Sequence, residues 1–222
     1  MTADPNWPRA SELLTDNPNS EVALIGIGAH QTSISPTRAD TTPPAVREAL
    51  LRYSTYCASH DQDLGELKIC DVGNVKSPDH AEGEQRVHEE LQNLKDKFLI
   101  AIGGDNSITY SVATGLWGSQ INNAGLITFD AHHDLRDGKT NGSPVQRLVN
   151  AGLSGTRIVQ IGIADFSNSP QYAPVTDTHP TLPNSLRVYP TLPPLSLQNT
   201  TQQALQPLST SPTYKPATYS AH

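Results

Sequence analysis

Five short apolar runs constrain this 222-residue chain more than any other feature. They occupy residues 22–28, 67–73, 98–102, 124–129 and 157–163. Each is a nearly unbroken apolar stretch rather than an apolar–polar alternation, the pattern of a strand buried on both faces. Helical stretches separate them. Pro43 and Pro44 open a segment running to about Tyr56, and proline belongs in a first helical turn. Residues 79–97 place Val87, Leu91 and Leu94 on one face. Residues 107–117 follow the break at Gly103-Gly104 as a further helix. Strands alternating with helices predict an α/β fold, a parallel sheet covered by helices on both faces. Ligands of such sheets bind beyond the carboxyl ends of the strands. His30, Asp71, Asp105-Asn106 and the stretch from Asp130 to Asp134 all lie at those ends, which predicts one site.

Composition narrows the function classes. The net charge is −7, with no basic stripe, so nucleic acid is not the expected partner. Cys57 and Cys70 are the only cysteines and are too far apart for a CxxC motif, as expected of a reducing compartment. The start of the chain lacks a basic, then apolar, leader, and no apolar stretch approaches the roughly 20 residues of a membrane helix. A cytoplasmic protein without membrane contact is expected. Residues 1–20 read as an N-terminal extension and residues 21–172 as the α/β domain. Beyond Gly162 there is no glycine and beyond Asp177 no acid. Residues 173–222, rich in Pro, Ser and Thr, read as a disordered tail, natural or frameshifted.

The string Asp130-Ala131-His132-His133-Asp134 closes the fourth run. If the chain stays extended, Asp130, His132 and Asp134 point to one side and His133 to the other. Two carboxylates and an imidazole suit a divalent ion such as manganese or zinc; a solvated loop is the plainer alternative. Gly103-Gly104-Asp105-Asn106-Ser107 ends the neighbouring strand just before a helix. Its glycines allow close backbone approach, and Ser107 is placed to cap the helix.

Together these strings resemble the ureohydrolase superfamily, which includes arginase, agmatinase and formimidoylglutamase. Gly103-Gly104-Asp105-Asn106-Ser107 is similar to the family's GGDHS, and Asp130-Ala131-His132-His133-Asp134 matches DAHxD. Arg47 fits an apolar-Arg pair on a family helix. Asp71-Val72-Gly73-Asn74-Val75 resembles the DxGDV turn, and Asn141-Gly142-Ser143-Pro144 the HG(S/T)P substrate loop. The resemblance covers residues 20–172 and leans to the formimidoylglutamase-like branch. It implies a three-layer α/β/α fold, incomplete at the C-terminus, and a two-manganese site. Metal ligands would be Asp130, His132, Asp134 and Asn106, with Asn141 and Ser143 at the substrate. Three departures stand out. Asn106 replaces a usual His ligand, Asn141 replaces a His found in arginase-like members, and the later SxDxDxxDP motif has no counterpart.

The implied activity is manganese-dependent hydrolysis of a linear amidine. The favoured substrate is N-formimidoyl-L-glutamate, giving L-glutamate and formamide in histidine breakdown. The alternatives are a catalytically impaired remnant and an agmatinase- or arginase-like guanidino hydrolase. The partner is a small amidine or guanidine, and the resemblance implies a homo-oligomer.

Overall fold

A computed structural model of the chain describes residues 4, 6–172 and 185–186. Nine strands and four α-helices lie within them. The strands are β1 (Leu14–Thr15), β2 (Val22–Ile27), β3 (Tyr56–Cys57), β4 (Gln62–Asp63), β5 (Ile69–Asn74), β6 (Phe98–Gly103), β7 (Leu126–Phe129), β8 (Ile158–Ile161) and β9 (Ser185–Leu186). The helices are α1 (Thr42–Leu50), α2 (His80–Leu91), α3 (Ile108–Trp117) and α4 (Pro144–Asn150). No helix among the described residues is long and apolar enough to cross a membrane.

The expected parallel α/β arrangement is present, as two sheets. The first has the order β1-β5-β2-β6 and the second β7-β8-β9, with every pair parallel. Strand β2 explains the unbroken apolar pattern. Its Ala23, Ile25 and Ile27 pack with Val87, Leu91 and Leu94 from α2 and the turn after it. Its Leu24, on the opposite face, packs with Leu13 and Ile69. An apolar residue is therefore needed at every position, whichever way it points.

The second sheet departs from the expectation. Leu126 and Ile158 pack with Ala113 of α3 and with Val145 and Leu148 of α4. On the other face Ile127 is 63% and Phe129 80% exposed, with Val159 beside them. This sheet is covered on one face only among the described residues. Strand β6 pairs with β2 and not with β7, so the single sheet read from the sequence is divided.

Several boundaries also move. Residues 10–15 belong to the fold rather than to an extension: Ala10 and Leu13 are buried and β1 pairs with β5. A two-residue strand carries no periodicity that could reveal it. Helix α1 stops at Leu50, short of the expected end near Tyr56, where the β3–β4 hairpin begins. Ser185–Leu186 pair with β8. The rest of the segment expected as a disordered tail lies outside the described residues.

Candidate metal and substrate site

The site begins where β6 runs into Gly103-Gly104. The Gly104 amide donates to Ile27 O at 2.9 Å and the Asp105 amide to Ala29 O at 2.8 Å, holding the turn against the end of β2. A Cβ on Gly104 would sit 1.9 Å from the Ala29 carbonyl oxygen, so only glycine fits. The Asp105 carboxylate accepts the Ser107 amide at 3.0 Å and the hydroxyls of Ser107 and Ser33. It organises the turn and leaves Asn106 to face the neighbouring sheet. Asn106 Nδ2 donates to Asp134 Oδ2 at 2.6 Å, while its Oδ1 accepts the Thr109 hydroxyl at 2.7 Å.

Strand β7 ends at Phe129, so the extended-chain argument for the Asp130 string stops there. The chain turns instead. Asp130 Oδ1 accepts the His132 amide at 2.8 Å and lies 3.2 Å from His132 Nδ1. Asp134 adopts φ 55°, the left-handed region that Asp tolerates better than most residues. The loop is held from behind. His133 is buried, with Nδ1 2.8 Å from Gln160 Oε1, and Gln160 Nε2 donates to His133 O at 3.0 Å. Asn168 accepts the His133 amide at 2.9 Å and donates to Ala131 O at 3.1 Å.

Asn106, Asp130, His132, Asp134 and Asn141 thus line one cavity of about 340 Å³. Four of the proposed ligands and one of the two substrate residues meet there. Ser143 does not. It is fully buried, and its hydroxyl bonds Thr140 Oγ1 at 2.9 Å, so it holds the loop together from inside. Asn141 accepts the Ile34 amide on Oδ1 at 3.1 Å. Asp71 is also outside the cavity, gripped by Arg47 at 2.6 and 2.7 Å; this hydrogen-bonded pair holds its carboxyl below the usual range. His30 is bound to Asp79 through its backbone at 2.8 Å.

Sequence reasoning missed Ser35, Ser167, Asn168 and Tyr172 on the cavity wall, and Arg136, two residues beyond Asp134, also lines it. None of the first four stands at a strand end or in a spacing that would have marked it.

The electrostatics centre on Asp134. Burial pushes its carboxyl up to about 6, and the Asp130 charge adds to the rise. Asn106, His132 and Arg136 oppose it. A carboxylate pair of this kind favours a cation between its members. The donors also fit a hard divalent ion in kind, being two carboxylates and an imidazole. They are not gathered for one: among the described residues no three of His, Cys, Asp and Glu stand close enough to share an ion. Asn106 turns its amide nitrogen, not its oxygen, toward Asp134. Asp130, His132 and Asp134 therefore match a divalent ion in kind and charge but, among the described residues, not in spacing.

Known proteins place this arrangement. The family model described as "Arginase family" matches residues 20–188. The chain is 37% identical over 167 residues to a formimidoylglutamase of Halalkalibacterium halodurans, covering 70% of this chain and 52% of that protein. It is 36% identical over 170 residues to a formimidoylglutamase of Bacillus subtilis, covering 71% of this chain and 52% of that one. The crystal structure of formimidoylglutamase from Bacillus subtilis superposes with a TM-score of 0.69 at 29% identity, over 78% of this chain and 58% of that chain. A Trypanosoma cruzi formiminoglutamase crystallised with Mn2+ reaches the same TM-score at 22% identity, over 75% of this chain and 61% of that one, a likeness of fold. The chain spans about half the length of the curated relatives it matches. On the family match and the strand-end cavity together, the chain belongs to the arginase family.

Proposed function

We propose that this chain carries the reaction cavity of a linear-amidine hydrolase of formimidoylglutamase type, acting on N-formimidoyl-L-glutamate in histidine breakdown. The carrying observation is the single cavity that unites Asn106, Asp130, His132 and Asp134, in a chain 37% identical to a formimidoylglutamase. Water adds to the amidine carbon, the bond from that carbon to the glutamate nitrogen breaks, and formamide and L-glutamate leave.

Asp130, His132 and Asp134 would hold manganese, which supplies Lewis acidity to the cavity when bound. The chain's own groups do the rest. Asn106 fixes the Asp134 carboxylate through its 2.6 Å bond. Asp130 orients His132 through two contacts on one oxygen. Asn141 stands on the substrate side of the same cavity.

A catalytically impaired remnant is the second reading. It is favoured by the absence, among the described residues, of three donors close enough for one ion. Formamide release from N-formimidoyl-L-glutamate with added manganese separates the two, assayed beside the Halalkalibacterium relative. Turnover comparable to the relative, and above that on agmatine or arginine, supports the first reading. Manganese-dependent turnover of agmatine or arginine instead would overturn the substrate assignment. No turnover on any of the three leaves the remnant.

A further inference from the structure

We propose that Gln160 is a positioning residue of the reaction cavity: by gripping His133 at ring and backbone, it holds Asp134 in the left-handed conformation from which its carboxylate meets Asn106. The proposal rests on the amidine-hydrolase reading for the use made of that geometry.

The strand itself is the starting point. Gln160 interrupts β8, which is otherwise Ile158, Val159 and Ile161. It pairs with Thr128 of β7 and shares the buried face of the strand with Ile158. A polar side chain buried there is costly unless its groups are bonded. Thr128 Oγ1 is buried without a partner among the described residues, yet Gln160 directs both ends of its amide to His133, the buried middle of the Asp130 string.

Donor chemistry fixes the direction of that grip. Gln160 Nε2 donates to His133 O at 3.0 Å, and a carbonyl only accepts. The amide is thereby oriented with Oε1 toward the ring. His133 Nδ1 carries the proton and donates to Oε1 at 2.8 Å. Two bonds at different atoms fix both the ring and the peptide that follows His133.

That peptide joins His133 to Asp134, so its plane is tied to the Asp134 φ of 55°. Such a conformation is strained for a residue with a side chain, and it persists only where the surroundings hold it. Gln160 supplies the hold on the His133 carbonyl. Asn168 adds bonds to the His133 amide at 2.9 Å and to the Ala131 carbonyl at 3.1 Å. From the loop so held, the Asp134 carboxylate accepts Asn106 Nδ2 at 2.6 Å, and Asp130 and His132 line the same cavity. Gln160 lies outside the cavity lining and acts only through the loop.

The test is the side-chain amide signal of Asn106 in heteronuclear NMR spectra of the nitrogen-labelled full chain, without metal. Asn106→Ser identifies the signal, and Asp134→Ala gives its position once the acceptor is gone. Gln160→Met keeps the length and removes both bonds. It should lower the melting temperature by a few degrees and move the Asn106 signal toward its Asp134→Ala position. Combining Gln160→Met with His133→Leu makes the pair apolar and should restore most of the stability, since fewer groups are left unpaired. The Asn106 signal should stay displaced, because apolar contact is non-directional and does not fix a peptide plane. An Asn106 signal unmoved in Gln160→Met would overturn the proposal, as would one that returns together with the stability in the double variant. Should Gln160→Met not fold, the double variant decides alone. Turnover separates the two readings. On N-formimidoyl-L-glutamate, kcat should fall by roughly tenfold in both variants, the usual loss when a supporting partner of a site is removed. KM should stay within about twofold, because Gln160 touches no substrate. A wild type inert on that substrate sinks the amidine-hydrolase reading and leaves the Asn106 signal to decide the proposal. Turnover with kcat unchanged in both variants sinks the proposal alone.

Discussion

At the scale of single residues, Asp134 concentrates the cavity's chemistry. It is buried beside a second carboxylate, and the one bond it accepts from Asn106 does not offset the cost of its charge. Its folded-state carboxyl sits at about 6, above the ordinary value of about 4. The folded chain therefore holds this proton more tightly than the unfolded chain. The resulting stability is complete below the ordinary value and is lost as pH rises through about 6. Asp134→Asn removes the charge while keeping the shape. Without added metal it should melt a few degrees above wild type at about pH 7.5 and level with it at about pH 4. Melting curves across that range check this, and a gap that does not vary with pH would contradict it. Added manganese should narrow the gap at the higher pH by stabilising wild type alone.

At the scale of elements, two contacts hold the pieces that carry the site. The Gly103-Gly104 turn fits β6 against the end of β2 with no room for a side chain. Gly104→Ala must push the Ala29 carbonyl aside, a change of the overpacking kind that costs about 1–3 kcal/mol. Urea unfolding should register that loss, and Asn106 should lose its alignment with Asp134. The second contact joins three helices. Arg147 of α4 bonds Glu84 of α2 at 2.7 and 2.9 Å and stacks over the Tyr110 ring of α3 at 3.5 Å. With its side chain 11% exposed, Arg147→Ala leaves Glu84 without its partner. A loss of about 3 kcal/mol is expected. Replacing both partners by leucine and methionine should cost less, because the remaining charge is gone too. Equal losses in the single and double variants would show that packing, not charge, holds α4.

At the scale of the whole molecule, the bare face of the second sheet is the unusual feature. Ile127, Phe129 and Val159 project from it with no cover among the described residues. An apolar patch of this sort tends toward association. Phe129→Ser should leave the melting temperature within about a degree, since a largely exposed ring contributes little to stability. It should lower self-association in sedimentation experiments at rising concentration. A large drop in melting temperature would mean that the ring is covered in solution.

Apolar continuity along the chain was enough to specify parallel strands and their order of appearance. Residues buried on both faces, such as Ala23, Leu24, Ile25 and Ile27, must all be apolar, and that need is written locally. The strand-end position of Asn106, Asp130, His132 and Asp134 was legible for the same reason, because turns that follow apolar strands gather at one edge. Tertiary packing decided the rest. The Asp130 loop meets Asn106 through a turn at Asp130 and a left-handed Asp134, not through the alternation of an extended strand. Ser143 and Asp71 carry the right chemistry at expected places, yet their partners Thr140 and Arg47 draw them away from the cavity. Asn168 and Tyr172 enter it from segments with no local signature. Local patterns record which residues must be buried; which polar groups meet depends on distant partners, and only the folded chain supplies those.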